Sequence, residues 1–377
     1  MKVLVAPDKF KGSMRASDVA AHVAAGIRAG APGTEVLAVP VADGGDGTLD
    51  AAVAAGFHLV PVTAAGPTGQ PVSTGYARQD RTAVVELADA CGLVRLPGGV
   101  LAPLTASSVG VGQVIAAALD AGCRRLVLAI GGSASTDGGA GMLTALGARI
   151  LDADGQPVPD GGGGLEHVAA VDLTGLHSAL AETDVVLASD VDNPLLGDHG
   201  AAAVYGPQKG ATPDDVADLD AGLRHLVDHL TVLRSDAATL AQEPGAGAAG
   251  GLGFAGLLLG GRIVSGADYF LDLLDFDRRV ADCDVVITGE GRIDDQTLHG
   301  KLPAVVARRS LPRPVIAVVG RSDISAAAAD EMGLTAVHAL TDHTEQNPAG
   351  DPQLSRSLLT ELARTIPLAA ERSVPSV

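Results

Sequence analysis

One glycine-rich segment of the chain carries the residue types that bind phosphate. An apolar run at residues 126–130 is followed at once by residues 131–141, which contain five glycines, two serines, a threonine and Asp137. Such a turn lets backbone N–H groups converge on an anion at the start of a helix, where the helix dipole also favours negative charge. A carboxylate among these donors suits a phosphate that brings Mg²⁺, because Mg²⁺ prefers oxygen ligands. The segment therefore indicates phosphoryl transfer.

Four further segments mix glycines or turn residues with carboxylates and basic side chains, and each follows an apolar run. Ligands of open α/β sheets bind outside the carboxyl ends of the strands, so these segments are where a site is expected. Lysine is a point charge suited to phosphate, and arginine can hold a carboxylate with two hydrogen bonds. Each segment alone could be a solvated turn, but five together favour a site. The candidates are Asp8, Lys9, Lys11 and Ser13, then Asp43 and Asp46, then Asp190, then Glu290 and Arg292, with Lys209 on a separate tight turn.

The common nucleotide and hydrolase motifs are missing or out of context. Neither residues 11–13 nor residues 300–302 complete a Walker A motif. Residues 245–250 match G-x-G-x-x-G, but they follow Pro244 and not a strand, which favours a flexible loop or a close-packed helix start over a dinucleotide site. No serine lies in a G-x-S-x-G turn, and the histidines lack metal-ligand spacing.

Composition narrows the class of protein further. A length of 377 residues favours two domains, and a net charge of −19 with a pI near 4.7 argues against nucleic acid as a partner. Residues 244–261 carry no charge, but their eight glycines make a membrane span a poor interpretation. Three cysteines without paired spacing, and the lack of a signal-peptide core at the first residues, predict a reduced, cytoplasmic setting.

Short apolar runs alternate with amphipathic helical stretches, which predicts an α/β fold. We expect Thr48 to cap the helix at residues 49–55, and we expect a surface loop or hairpin at residues 152–164. Strands are predicted at residues 2–6, 35–39, 83–87, 126–130, 185–188, 285–288 and 315–319, with helices at 17–29, 108–121, 142–148 and one or two within 213–240.

The junctions after the first strand and after residues 285–288 are alike, since both place an acidic residue just beyond an apolar run. This similarity predicts that the two chain ends build one doubly wound domain, residues 1–75 plus 285–377. A second α/β domain, residues 76–284, would be inserted into it.

Six of these segments together resemble the bacterial glycerate kinases. They follow one another in order over nearly the whole chain, at residues 6–13 (APDKFKGS), 42–48 (ADGGDGT), 131–139 (GGSASTDGG), 192–195 (DNPL), 206–211 (GPQKGA) and 289–292 (GEGR). The resemblance implies two α/β domains, one of them flavodoxin-like, and transfer of phosphate from ATP to D-glycerate, giving 2-phosphoglycerate. ATP, Mg²⁺ and D-glycerate are then the expected ligands of a monomer or homodimer that binds neither nucleic acid nor membrane.

The chemistry of phosphoryl transfer suggests a role for each candidate, because the reaction needs mainly positioning and charge stabilisation. The ATP phosphates would lie on residues 131–139, and Asp190 would be the general base that accepts the C2 hydroxyl proton. Further expected roles are phosphate contacts from Gly131, Gly132, Ser133, Ser135, Gly138, Gly139 and Lys209; Mg²⁺ binding by Asp137, Asp43 or Asp46; charge neutralisation by Lys9 or Lys11 beside Asp8; and glycerate binding by Arg292, Ser13, Asp43 and Glu290.

Three alternatives remain open at this point. The enzyme could phosphorylate the C3 hydroxyl and give 3-phosphoglycerate. A phosphatase acting on a phosphorylated hydroxy acid would also need Mg²⁺ and carboxylates. A non-catalytic anion-binding regulator could use the same glycine segments, although it would not need so many acidic residues beside them.

Overall fold

The computed structural model describes residues 1–294, 297 and 301–368, and within them the fold is mixed α/β with several parallel sheets. The strands are β1 (Lys2–Pro7), β2 (Glu35–Ala38), β3 (His58–Ala65), β4 (Pro71–Gln79), β5 (Thr82–Glu86), β6 (Arg125–Ala129), β7 (Arg149–Leu151), β8 (Ala170–Asp172), β9 (Asp184–Ala188), β10 (Arg262–Val264), β11 (Val285–Gly289), β12 (Arg292–Ile293), β13 (Val315–Val319), β14 (Arg321–Ser322) and β15 (Ala336–Ala339).

The helices alternate with these strands. They are α1 (Ala16–Gly30), α2 (Thr48–Ala54), α3 (Leu87–Cys91), α4 (Val109–Asp120), α5 (Ala140–Ala145), α6 (Ala201–Tyr205), α7 (Pro213–Leu233), α8 (Ala237–Leu240), α9 (Ala248–Leu258), α10 (Gly266–Leu273), α11 (Phe276–Ala281), α12 (Leu302–Ser310), α13 (Ala326–Glu331) and α14 (Pro352–Thr365). Short 3₁₀ turns occur at Leu93–Arg95, Pro97–Gly99, Gly162–His167, Ser178–Glu182, Pro207–Lys209, Leu340–His343 and Pro348–Gly350.

All seven predicted strands are present, each within one residue of its expected bounds. The antiparallel pair β3–β4 was missed, because the register partners Pro61 and Gly75 weaken the strand pattern of both runs. The helix expected at residues 142–148 is wrong in its bounds: α5 starts at Ala140 and ends after six residues, since Gly147 with a φ of 107° breaks it. The one or two helices predicted within residues 213–240 are present as α7 and α8.

The chain divides into two compact units. Unit 1 contains residues 1–43, 50–55 and 267–377, and unit 2 contains residues 44–49 and 56–266. The first strand and the last described residues therefore both belong to unit 1. Residues 44–49, 56–75 and 267–284 lie in the other unit from the one that the sequence suggested.

Unit 1 is built on a parallel sheet with the strand order β15-β13-β11-β1-β2. Alternate residues of β1 enter two separate cores: Leu4 and Ala6 pack with residues of α10, α11 and α12, whereas Val3 and Val5 pack with residues of α1 and α14. Because side chains alternate across a strand, both faces of the sheet are buried under helices. The loops after β1 and β11 therefore emerge side by side at the carboxyl edge of the sheet.

Unit 2 contains a six-stranded sheet with the order β10-β9-β6-β5-β4-β3, parallel from β10 to β5 and antiparallel at β3 and β4. Its core fills with small aliphatic side chains from α4, α5, α7 and α9. The carboxyl ends of β5, β6 and β9 lie together and lead into Glu86, Gly131 and Ser189. Among the described residues, no helix is both long and apolar enough to span a membrane.

Candidate functional site

Three carboxyl groups of unit 1 gather at the carboxyl edge of its sheet. Asp8 follows β1, Asp43 follows β2, and Glu290 follows β11. Lys9 lies among them, with its Nζ 3.7 Å from Asp8 Oδ1 and 3.9 Å from Asp43 Oδ1. In the order of the sheet, β1 lies between β2 and β11. The chain passes from β1 to β2 on one side, and it later returns to β11 on the other side of β1. Such a reversal is where open α/β sheets bind their ligands.

The carboxyls of Asp8 and Glu290 are shifted toward their protonated forms. Burial raises the pKa of Asp8 to about 8, and the Asp43 carboxylate adds to the effect, while Lys9 opposes it. Burial also raises the pKa of Glu290 to about 7. Perturbed carboxyls of this kind concentrate at functional sites. A cation bound here would favour their ionised forms.

Glu290 is held by the segment that follows it. The hydroxyl of Thr297 donates to Glu290 Oε1 at 2.8 Å and accepts from the backbone N–H of Asp294 at 3.2 Å. Lys301 Nζ lies 3.5 Å from Asp294 Oδ1. These hydrogen bonds and this ion pair therefore hold the Glu290 side of the acidic cluster in place.

The carboxylates at this edge can supply part of the coordination shell of Mg²⁺. Among residues 1–294, 297 and 301–368, no group of three or more His, Cys, Asp or Glu side chains is arranged to hold a metal ion. Mg²⁺ rarely uses a cage made only of protein: it binds one or two carboxylates together with water and the phosphates of a substrate. Asp8 and Asp43 supply two such carboxylates.

A cavity of about 430 Å³ lies beside the acidic cluster in unit 1. It is lined by three residues that the sequence selected, Lys11, Ser13 and Arg292, and by Arg321, which the sequence analysis missed. The loops meet closely here, because a Cβ atom on Gly291 would lie 3.0 Å from the backbone N of Lys11. Arg292 and Ser13, which the sequence assigned to glycerate binding, therefore line the same cavity.

The glycine segments of unit 2 contact one another directly. A Cβ atom on Gly132, whose φ is 77°, would lie 2.5 Å from Asp46 Oδ1. The N–H of Gly131 donates to the carbonyl of Gly44 at 3.0 Å. Only backbone without side chains allows this approach, which places Asp46 beside the exposed Gly132.

Glu86, which the sequence analysis missed, supports the segment at residues 44–49. Its carboxylate accepts from the N–H groups of Gly47 at 3.1 Å and Leu49 at 2.9 Å. Thr48 was expected to cap α2, but its hydroxyl donates to the carbonyl of Gly45 at 2.6 Å instead. Glu86 therefore satisfies the orphan donors at the start of this helix. Burial raises the pKa of Glu86 to about 7.

Asp137 is buried and is bonded to donors of the chain itself. Its fully buried carboxylate accepts from the N–H and hydroxyl of Ser108 at 2.8 and 2.7 Å, and from the N–H groups of Gly139 at 3.2 Å and Gly141 at 3.3 Å. The group that accepts from the N–H donors at the start of α5 is thus the Asp137 carboxylate. All of these bonds come from the chain's own donors, which argues against the Mg²⁺ role predicted for Asp137.

The second half of the 131–139 segment is also buried, so its expected phosphate contacts need correction. Ser133, Ser135, Gly138 and Gly139 are all buried, and only Gly131 and Gly132 are accessible. The N–H of Gly138 donates to the carbonyl of Gly250 at 2.9 Å. The G-x-G-x-x-G match at residues 245–250 therefore ends in a close-packed helix start.

Lys209 is buried behind the same segment. Its Nζ donates to Ser133 Oγ at 2.9 Å and to the carbonyl of Ser135. Burial lowers the pKa of Lys209 to about 7, while the Asp137 carboxylate acts in the opposite direction. The lysine supports the loop from within and does not reach its accessible surface.

Asp190 follows β9 at an exposed position, as the sequence predicted for a residue at a strand end. Its Oδ1 accepts from the N–H of Gly266 at 3.0 Å. This hydrogen bond fixes the carboxylate while its exposure leaves it accessible. The geometry is compatible with a general base.

Two sequence signals could have revealed the missed residues. Ser108 precedes a helical stretch, where a serine commonly accepts hydrogen bonds from backbone donors. Glu86 is a carboxylate at the carboxyl end of a buried strand, the criterion that selected Asp190. Arg321 and Asp323 follow β13 in the same way.

Similarity to known proteins extends over nearly the whole chain. Residues 3–367 match the family model described as the Glycerate kinase family. The chain is 43% identical over 346 residues to a glycerate kinase of Bacillus subtilis (strain 168), and 39% identical over 348 residues to a glycerate 2-kinase of Escherichia coli (strain K12); each alignment covers 90% of both chains. A crystal structure described as glycerate kinase 2 from Salmonella typhimurium LT2 superposes with a TM-score of 0.81 at 40% identity, covering 97% of this chain and 96% of that one.

Proposed function

The chain belongs to the glycerate kinase family, and on that premise we propose that it phosphorylates the C2 hydroxyl of D-glycerate with ATP and Mg²⁺. The products would be 2-phosphoglycerate and ADP. The observation that carries the proposal is the pairing, within unit 1, of a buried acidic cluster with a cavity rich in basic side chains. The relative named glycerate 2-kinase supports transfer to O2.

The carboxylate of glycerate would bind in the cavity of unit 1. Arg292 supplies a guanidinium for two parallel hydrogen bonds, and Lys11 adds positive charge. The Ser13 hydroxyl, which donates to the Phe10 carbonyl at 3.2 Å, is close enough to the cavity to bind a substrate oxygen. Binding at this end would orient the hydroxyls of glycerate for reaction.

Asp8 and Asp43 would hold Mg²⁺ together with ATP phosphates, and Asp46 is a further candidate ligand. The ion would neutralise charge that develops on the phosphate oxygens. Lys9, which already bridges Asp8 and Asp43, would stabilise the transferred phosphoryl group. Glu290, held by Thr297, would accept from a glycerate hydroxyl.

The accessible glycines Gly131 and Gly132 would contact the ATP phosphates. Because the N–H of Gly131 already donates to the carbonyl of Gly44, the main-chain donor offered to a phosphate here would be the N–H of the exposed Gly132. Lys209, Ser133 and Asp137 would shape this surface from beneath. We therefore assign them indirect roles in nucleotide binding.

Asp190 would act as the general base. Its carboxylate would accept the proton of the C2 hydroxyl as that oxygen bonds to the γ-phosphorus and the bond to the β-phosphate oxygen breaks. General base catalysis of this kind contributes typically about 10²- to 10⁴-fold to a rate. Asp8, whose pKa is raised to about 8, is the rival candidate for this role.

The architecture around the site supports a flavodoxin-like unit 1. Numbered along the chain, its five parallel strands have the order 2-1-3-4-5, which is the flavodoxin order. We propose that unit 1 is a discontinuous domain of this type and that unit 2 is the inserted α/β domain. We further propose a cytoplasmic monomer or homodimer.

Incubation of the protein with ATP, Mg²⁺ and D-glycerate, followed by ³¹P NMR, tests the proposed reaction. We expect one new phosphomonoester coupled to the C2 proton, and equal formation of ADP. Coupling to the C3 protons would instead identify a glycerate 3-kinase. Release of inorganic phosphate from 2-phosphoglycerate would indicate a phosphatase, and nucleotide binding without turnover or Mg²⁺ dependence would indicate a regulator.

A further inference from the structure

We propose that Arg321 binds the substrate carboxylate together with Arg292, and that Asp323 fixes the two guanidinium groups as one clamp. This inference rests on the proposed function and adds a specificity-determining residue to it. Arg321 is distant from Arg292 in the sequence, but both line the same cavity.

The backbone places the two arginines side by side. β12 and β14 form a short parallel pair in which Arg292 is the register partner of Arg321. Neighbouring strands lie about 4.8 Å apart, so two partner side chains leave the same face of the pair close together. Two guanidinium groups at this spacing repel each other unless an anion lies between them.

Asp323 supplies one such anion. Its Oδ2 accepts from Arg292 Nε at 2.6 Å, and its Oδ1 accepts from Arg321 Nε at 2.8 Å. These bonds hold the pKa of Asp323 below its usual range, so the carboxylate is ionised at neutral pH. Both bonds use Nε, and among residues 1–294, 297 and 301–368 no hydrogen bond to the Nη groups of either arginine is found, so these groups can bind a second anion.

The lining of the cavity is more basic than acidic. Three basic residues, Lys11, Arg292 and Arg321, line it with one acidic residue, Glu345. Asp323 pairs with both arginines, and Asp294, 3.9 Å from Arg292 Nε, is shared with Lys301. Both arginine side chains are about 60% exposed, at 62% and 63%, whereas Asp323 is 24% exposed. The two arginine side chains are therefore open to solvent, whereas the Asp323 carboxylate that pairs with them is less exposed.

The remaining lining favours a small hydroxy acid over a simple anion. The hydroxyl-bearing residues Ser13, Thr341 and Thr344 border the same cavity. A carboxylate that is planar and accepts two pairs of hydrogen bonds matches two guanidinium groups. A neutral polyol would gain nothing from them. The clamp thus selects the carboxylate end of glycerate.

Steady-state kinetics of Arg321→Gln test the clamp. We expect the KM for D-glycerate to rise about tenfold or more, while the KM for ATP stays within twofold, because a lost charged hydrogen bond costs roughly a tenfold factor in affinity. Arg321→Lys should recover only part of this loss, since lysine lacks the planar fork. Arg278→Gln, at an exposed arginine paired with Asp275 elsewhere in unit 1, is the matched control and should behave as wild type.

Isothermal titration of each folded variant with D-glycerate alone separates binding from turnover. Thermal melts first establish that Arg321→Gln is folded. An unchanged glycerate affinity and KM in that variant would overturn the clamp. If the wild-type protein itself neither binds nor phosphorylates D-glycerate, the proposed function fails instead. Equal loss of ATP and glycerate affinity would also contradict the proposal, because it would indicate a general structural effect.

Discussion

Among single residues, the buried side chains of Asp137 and Lys209 explain how the glycine-rich segment keeps its conformation. Asp137 occupies the donors at the start of α5, and Lys209 holds Ser133 and Ser135 from behind. Both side chains were expected to contact ligands. They instead satisfy polar groups of the chain, since a buried donor or acceptor without a partner is costly.

We expect Asp190→Asn to lower kcat by about 10²- to 10⁴-fold while the KM for D-glycerate stays within twofold, because the amide cannot accept the C2 hydroxyl proton. Asp192→Asn, at the exposed position two residues later, is the control. Steady-state kinetics over both substrates provide the measurement. Retention of more than a tenth of wild-type kcat would transfer the base role to Asp8.

The stability of the protein should carry a pH dependence from Lys209. Its pKa is about 7 in the folded chain against 10.5 for an ordinary lysine, so the unfolded chain binds more protons between these two values. The free energy of unfolding therefore gains a contribution that increases as pH rises from 7 to 10.5. In Lys209→Met this contribution is absent.

Urea denaturation at pH 7 and pH 9.5 checks the assignment. We expect the wild-type protein to become more stable relative to Lys209→Met at the higher pH. A stability difference that is the same at both pH values would mean that Lys209 keeps an ordinary pKa. Lys301→Met, at a partly exposed lysine, should show no such dependence and serves as the control.

Among elements, the start of α4 and the start of α5 share one carboxylate. Asp137 accepts from Ser108 before α4 and from Gly139 and Gly141 at α5, and the Ser108 hydroxyl in turn accepts from the N–H of Met142 at 2.9 Å. Two helix starts are therefore joined by a closed set of hydrogen bonds. This junction positions the accessible glycines that precede it.

We expect Asp137→Asn to destabilise the protein by about 2 kcal/mol, because the amide NH₂ would face backbone donors and leave them unpaired. Urea denaturation measures the change, with the exposed Asp154→Asn as the control. The Mg²⁺ concentration for half-maximal activity should be unchanged. Normal stability with a raised Mg²⁺ requirement would restore Asp137 as a metal ligand.

For the whole molecule, the net charge of −19 is the dominant electrostatic feature. Charge of one sign destabilises a compact chain by self-repulsion, and salt screens that repulsion because the Debye length falls to about 10 Å at 0.1 M. In the acidic cluster of unit 1, the raised pKa values of Asp8 and Glu290 limit this repulsion, because they keep those carboxyls partly protonated.

The melting temperature should therefore rise as NaCl increases from about 10 to 200 mM. Differential scanning fluorimetry at pH 7.5 provides the measurement, and an equal osmolarity of an uncharged polyol provides the control. A falling melting temperature would show that exposed ion pairs, such as that of Arg278 with Asp275, outweigh the net repulsion.

The sequence by itself determined the α/β class, the seven main strands and the placement of glycine and carboxylate at their ends. Apolar periodicity is local, so short windows of sequence suffice to predict these features. The motif resemblance also identified the glycerate kinase family, which the comparisons confirm. Lys11, Ser13 and Arg292 were likewise selected from sequence and do line one cavity.

Only the tertiary structure decided which polar groups are accessible. Asp137 is satisfied by Ser108, 29 residues away, and Lys209 by Ser133, 76 residues away. The partner of Arg292 across the clamp, Arg321, lies on another strand that no local pattern links to it. Whether a charged group binds a ligand or satisfies the chain depends on neighbours brought near by folding, and sequence spacing does not contain that information.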